Sequence, residues 1–151
     1  MKPTESFGAW RWKVIDAFIS THYNRILSTK GQRYQRGARL GPVPPYAKEW
    51  PPERPLWPAG VARKMVDLLM FTPEEVWMVK AKMHPAAEDL AMMEEYARLL
   101  PTTPDPYFDN HRGKPVRKFL IYGEEDPQVV QQAHARGIAV HLFQEGRFIE
   151  L

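Results

Sequence analysis

The stretch Val61–Leu100, VARKMVDLLMFTPEEVWMVKAKMHPAAEDLAMMEEYARLL, decides how this chain is read. Met65 to Phe71 and Val76 to Lys82 are short apolar runs joined by Thr-Pro-Glu-Glu, the pattern of a hairpin whose turn is set by Pro73. Side chains alternate along a strand, so Val76, Met78, Lys80 and Lys82 share one face of the second run, while Trp77, Val79 and Ala81 take the other. An apolar strand thus ends in two lysines pointing the same way. From Pro85, a favourable first helical residue, Leu90, Met93, Ala97 and Leu100 recur at helical spacing, and Pro101 stops the helix.

Upstream, Phe7 to Leu27 carries Phe7, Trp10, Val14 and Phe18 on one stripe with Ile15, Ile19, Tyr23 and Ile26 beside it, which predicts a long amphipathic helix. Thr4 or Ser6 can cap its start, and Gly31 lies just beyond its end. Arg11, Lys13 and Arg25 read as its solvated face. Gly31 to Gly41, GQRYQRGARLG, spaces Arg33, Arg36 and Arg39 three apart around Tyr34. It reads as a first strand whose arginines remain available to phosphate, because arginine offers a planar fork of donors. Pro42 to Pro58 holds seven prolines with Tyr46, Trp50 and Trp57, and cannot be a regular helix or central strand. The expectation is an extended arm whose rings pack on this domain or on another subunit.

Downstream, PTTPDPYFDNHRGKP is a loop made locally basic by His111, Arg112 and Lys114. Val116 to Tyr122 then reads as a strand, Asp126-Pro127 opens a helix through Arg136 that Gly137 ends, and Ile138 to Phe143 reads as another strand. A strand, helix and strand within thirty residues imply a parallel pair with a right-handed crossover. Gly146 and Phe148 to Leu151 add a short edge strand. The predicted fold is α/β, a mixed central sheet flanked by helices, within one domain over residues 1–151: an N-terminal helix at 1–30, the arm at 42–58 and a core at 61–144.

At 151 residues, 44% hydrophobic and 26% charged, the chain has the composition of one soluble domain. No run of eighteen apolar residues and no signal-like start appears, so no membrane partner is expected and the default location is cytoplasmic, or within a virus particle. The absence of Cys fits a reducing compartment, and high Pro and Arg lean toward a thermophilic source. The net charge of +3 is uneven: residues 1–64 hold 12 Lys or Arg against 4 Asp or Glu, and residues 65–151 hold 9 against 14. A basic half is the footprint of a polyanion or acidic-partner surface, or else the two halves pair with each other. His22, His84, His111, His134 and His141 lack metal-ligand spacing, and no Gly-x-Ser-x-Gly or catalytic Cys is present. His84, directly after the lysine strand, is placed to reach a phosphate.

Asp67, then Lys80-Ala81-Lys82, then an amphipathic helix resembles the core of the PD-(D/E)XK nuclease superfamily. In that family an Asp on one strand and a Glu or Asp two residues before a Lys on the next hold a divalent metal, while the Lys steadies the attacking water or the phosphate. By position Asp67 matches the Asp and Lys82 the Lys, but Lys80 stands where the second carboxylate belongs. Met92 to Tyr96, MMEEY, is similar to the Gln-x-x-x-Tyr helix motif of RecB-type members, with Met92 in place of Gln. The resemblance spans roughly Arg63 to Phe143 and implies a restriction-endonuclease-like core.

Two functions follow from that resemblance. In the first, catalysis is lost: Lys80 pairs with Asp67 in place of the metal, and the protein is a nucleic-acid-binding or structural subunit of a phage or other mobile-element assembly. DNA is then expected ahead of RNA, contacted by Arg33, Arg36, Arg39 and His84, with protein partners meeting residues 42–58. In the second, an active Mg²⁺-dependent nuclease recruits a relocated carboxylate from the following helix, Glu88 or Glu95, to join Asp67 as metal ligand. Mg²⁺ is the only cofactor implied, and only in that second case.

Overall fold

A computed structural model describes residues 7–42 and 63–151. The expected capping residues Thr4 and Ser6, and the arm from Val43 onward, lie outside the described residues. Helix α1 (Phe7–Thr21) is followed by β1 (Tyr34–Leu40), the hairpin β2 (Lys64–Phe71) and β3 (Val76–Lys82), then α2 (Glu88–Leu99), β4 (Val116–Tyr122), α3 (Pro127–Ala135), β5 (Ile138–Gln144) and β6 (Arg147–Glu150). The six strands form one sheet in sequence order. The pairs β1–β2, β2–β3 and β5–β6 are antiparallel, and β3–β4 and β4–β5 are parallel. The chain is therefore α/β with a mixed sheet flanked by helices.

Local chemistry explains the boundaries. The Thr72 hydroxyl accepts the amides of Glu74 (3.3 Å) and Glu75 (2.8 Å), closing the β2–β3 turn around Pro73. The Asp126 carboxylate accepts the amides of Gln128 and Val129 and caps α3, with Pro127 in the first turn. Helix α1 ends at Thr21, six residues short of the expected Leu27. Thr21 turns its hydroxyl back to the Ala17 carbonyl (2.8 Å), and a single 3-10 turn over Tyr23–Arg25 takes the chain away.

Helix α1 covers one face of the sheet through Val14, Ile15 and Phe18 against Leu68, Met70, Trp77, Val79 and Phe119. Helices α2 and α3 cover the other through Leu90, Met93, Val129 and Ala133 against Leu69, Phe71, Met78, Leu120 and Val140. Alternating side chains thus feed two apolar layers from one sheet.

The alternation breaks once, at the facing residues Gly37 and Asp67. Leu68 and Met70 join the α1 layer, whereas Val66, which has the same parity, joins the α2 layer. On β1, Arg36 reaches Asp16 and Trp12 of α1, whereas Ala38 and Leu40 pack in the α2 layer. The register continues from Arg36↔Leu68 to Ala38↔Val66, so both strands exchange faces together. Gly37 makes this possible with φ +58°, a conformation that L side chains adopt at a cost. The same step ends the β2–β3 ladder at Leu68↔Val79 and frees Asp67 from ordinary strand alternation.

Candidate functional site

Asp67 is 1% exposed on β2. Its Oδ2 accepts the Ala81 amide at 2.8 Å, taking the place of the next ladder bond, and its Oδ1 lies 3.6 Å from Arg11 Nη1 of α1. Burial raises its pKa, and the Ala81 amide, Lys80 and Arg11 pull it back. The expected direct pair between Asp67 and Lys80 does not form. Lys80 acts on the carboxylate through space, and its Nζ stands 5.8 Å from the centre of the Tyr96 ring. The strands have separated at this point, and the α1 guanidinium supplies the direct ion pair instead.

Arg11 therefore does not belong to the solvated face of α1. Its side chain is 25% exposed, and it stands four residues before Ile15 and seven before Phe18, on the buried stripe. The sequence signal that was passed over is its spacing: a charge on the same stripe as Ile15 and Phe18.

Lys82 ends β3 beside Tyr122, which ends β4. Lys82 Nζ donates to Asp89 Oδ1 at 2.9 Å, and Asp89 Oδ2 accepts the Ala86 amide at 3.0 Å and the Tyr122 hydroxyl at 3.3 Å. Asp89 is fully buried, and burial together with Asp89 pushes the Tyr122 phenol well above its usual range. The Tyr96 phenol is also raised, first by burial, then by Asp67 and Asp89. Asp67, Lys80, Lys82, Asp89, Tyr96 and Tyr122 thus gather around the carboxyl ends of the parallel strands β3 and β4.

The carboxylate that α2 contributes is Asp89, which sequence reasoning missed. Of the two expected there, Glu88 is 3.8 Å from Lys82 Nζ with its side chain 76% exposed, and Glu95 pairs with Arg98 on the surface, away from the cluster. Asp89 precedes Leu90 in the first turn of α2, and Lys82, the Ala86 amide and the Tyr122 hydroxyl meet it there. Met92 is exposed while Tyr96, one turn later, is buried, so the similarity to the helix motif places its tyrosine inside and Met92 outside. His84 pairs with Glu124 at 2.8 Å on the surface beyond β3.

A divalent metal does not suit this donor set. Asp67 has a guanidinium beside one oxygen and an amide on the other, and Asp89 has an ammonium, an amide and a phenol. Among the described residues no three His, Asp or Glu converge as ligands. Magnesium is usually held by one or two carboxylates that face it freely.

Arg36 and Arg39 lie on β1, one edge strand of the sheet, and Arg33 directly precedes it. Gly31, Gln32, Arg33, Tyr34, Gln35 and Arg36 line an open groove of about 760 Å³. Arg33 donates to the Tyr23 hydroxyl at 3.3 Å and Arg36 pairs with Asp16 at 3.3 Å over the Trp12 ring. Arg39 does not line this groove and donates instead to the Arg63 carbonyl at 3.5 Å. Tyr34 is 37% exposed beside Arg33. Among the described residues no helix is long and apolar enough to cross a membrane. No family model matches this chain, and no curated protein matches it.

Proposed function

We propose that this protein binds nucleic acid without cutting it, as a subunit built on a PD-(D/E)XK nuclease-like core. One observation carries the reading: the carboxylate that would hold a metal, Asp67, is met by Arg11 and the Ala81 amide, with Lys80 where the second acid belongs. A cation-neutralised carboxylate keeps the strands joined but offers no vacant charge to a metal. The affinity is assigned to the arginines and the exposed tyrosine of the β1 groove, which combine phosphate forks with a stacking ring. DNA is the first nucleic acid to test, and residues 42–58 are the candidate contact with protein partners in a phage or other mobile-element assembly.

One observation favours the second reading, an active Mg²⁺-dependent nuclease: α2 does supply a buried carboxylate, Asp89, beside Lys82. Its three donors weigh against it, since each would have to be displaced. Incubation with linear and single-stranded DNA in Mg²⁺ or Mn²⁺ separates the two. The binding reading expects intact DNA, and robust cutting abolished by Asp67→Ala overturns it.

A further inference from the structure

At the other end of the sheet from Asp67, on the face covered by α1, a second basic cluster surrounds Trp77. Arg25, from the 3-10 turn after α1, has its guanidinium 5.5 Å from the Trp77 ring centre. Arg117, the register partner of Trp77 on β4, stands 5.7 Å from the same ring and 5.0 Å from Phe119. Both arginines are exposed, and neither has a carboxylate within ion-pair distance among the described residues. Two guanidiniums therefore flank one buried indole without a neutralising partner.

Two histidines complete the cluster. His22 lies 5.4 Å from Trp77 and 4.4 Å from Phe18, ring centre to ring centre, and His141 on β5 lies 5.9 Å from Phe119. His141 Nδ1 is buried and has no hydrogen-bond partner. The acids nearby are Glu150, opposite His141 on β6, and Glu75, which accepts the Trp77 indole N–H at 3.3 Å. Four groups able to carry positive charge thus face two carboxylates, and the indole N–H on Glu75 leaves that carboxylate's charge in place.

We propose that Arg25, Arg117, His22 and His141 form a phosphate-binding site that grips the sugar-phosphate backbone of a nucleic acid, a second contact besides the β1 groove. The identity of the ligand rests on the function proposed above; the affinity for phosphate rests on this cluster alone. Arginine forks match phosphate oxygens, and an indole under the guanidinium holds the fork flat and lowers its hydration. The histidines add a pH dependence. Burial holds both below their ordinary pKa, and the neighbouring positive charges lower them further: His141, Arg25 and Arg117 act on His22, and Arg117 acts on His141, against Glu150. A bound phosphate reverses the sign of that field, so binding takes up protons and strengthens as pH falls from 7 to 6.

The test titrates the whole protein with inorganic tripolyphosphate by calorimetry and with a labelled single-stranded oligonucleotide by anisotropy, for the parent, Arg25→Ala/Arg117→Ala and Arg117→Lys. Near-ultraviolet circular dichroism verifies the fold of each variant. Expected is tripolyphosphate binding that is weakened in the double variant and survives in Arg117→Lys, and oligonucleotide binding that tightens at pH 6. For the oligonucleotide, the salt slope of log K should fall by about 1.4, two contacts at about 0.7 each for a single strand. Tripolyphosphate binding equal in parent and double variant, or absent from the parent, overturns the site. Oligonucleotide affinity and salt slope unchanged in the double variant remove the nucleic acid as the ligand of this site and leave the proposed function standing. Tripolyphosphate captured through Arg25 and Arg117 by a protein that ignores oligonucleotides keeps the phosphate site and removes the nucleic acid as its ligand.

Discussion

Arg11 Nη1 on α1 stands 3.6 Å from Asp67 Oδ1 on β2, tying the helix to the one position where the sheet exchanges its faces. The pair is half of a pattern. Each buried carboxylate near the ends of β3 and β4 is answered by a cation of the same chain, Asp67 by Arg11 and Asp89 by Lys82.

For Asp67 this predicts different outcomes for two substitutions. Asp67→Ala leaves the buried Ala81 amide without an acceptor and should cost about 1–3 kcal/mol. Asp67→Asn keeps an acceptor and removes a desolvated charge. The folded-state pKa of Asp67 is raised above 3.8, so its contribution to stability is complete below about pH 3.8 and is lost as pH rises through the folded value. At pH 7 the Asn variant should therefore equal or exceed the parent in a urea titration, and the difference should close toward pH 3.

The Lys82–Asp89 pair predicts a strong single effect and a weak double one. Removing an ion-pair partner from a buried charge costs about 3–5 kcal/mol, and Lys82→Met should fall near the lower end because the lysine side chain is 29% exposed. Lys82→Met with Asp89→Leu should recover most of that loss. Tyr122→Phe, which takes one donor from Asp89, should cost about 1 kcal/mol. Denaturation midpoints of the four proteins check the set.

His111 carries a separate acid sensitivity. Its ring stacks on Phe71 at 3.9 Å, Nε2 donates to the Gln32 carbonyl at 3.0 Å, and Nδ1 accepts from Lys114 at 3.1 Å. Burial, then Lys114, holds its pKa below 6.5. A histidine buried in the neutral form contributes stability that is present above its unfolded pKa and is lost as pH falls through the folded one. The melting temperature should drop as pH goes below about 6.5, and His111→Phe should flatten that dependence.

Lys80→Glu tests whether Lys80 and Asp67 share a site. The substitution puts a second negative charge near a carboxylate that burial already disfavours, so the variant should lose stability without metal. Mn²⁺ should then raise its melting temperature more than the parent's. Equal indifference of both proteins to Mn²⁺ in calorimetry counts against a common site.

Much of the fold was legible because the chain punctuates itself. Pro73, Asp126-Pro127 and Gly137 mark turns and ends that the strands and α3 obey, and period-two and period-3.6 apolar patterns set the layers. The site was less legible. Asp67 and Lys82 stand out by residue type, but Arg11 and Asp89 owe their roles to packing between elements far apart in sequence. The face exchange at Gly37 was invisible as well, since a glycine in a strand does not state which residue will sit opposite it. Arg33, Arg36 and Arg39, evenly spaced in sequence, likewise reach three different partners, Tyr23, Asp16 and the Arg63 carbonyl.

The central claim, binding through phosphate contacts at β1, is tested most directly by anisotropy of a labelled DNA duplex from about 50 to 200 mM salt, for the parent and for Arg33→Ala/Arg36→Ala/Arg39→Ala. The account predicts that log K of the parent falls linearly with log salt. It also predicts that the triple variant binds more weakly, with a slope shallower by about 1.8, the two arginines that line the groove, Arg33 and Arg36, at about 0.9 each. Salt-insensitive binding by the parent, or a triple variant indistinguishable from it, would contradict the account.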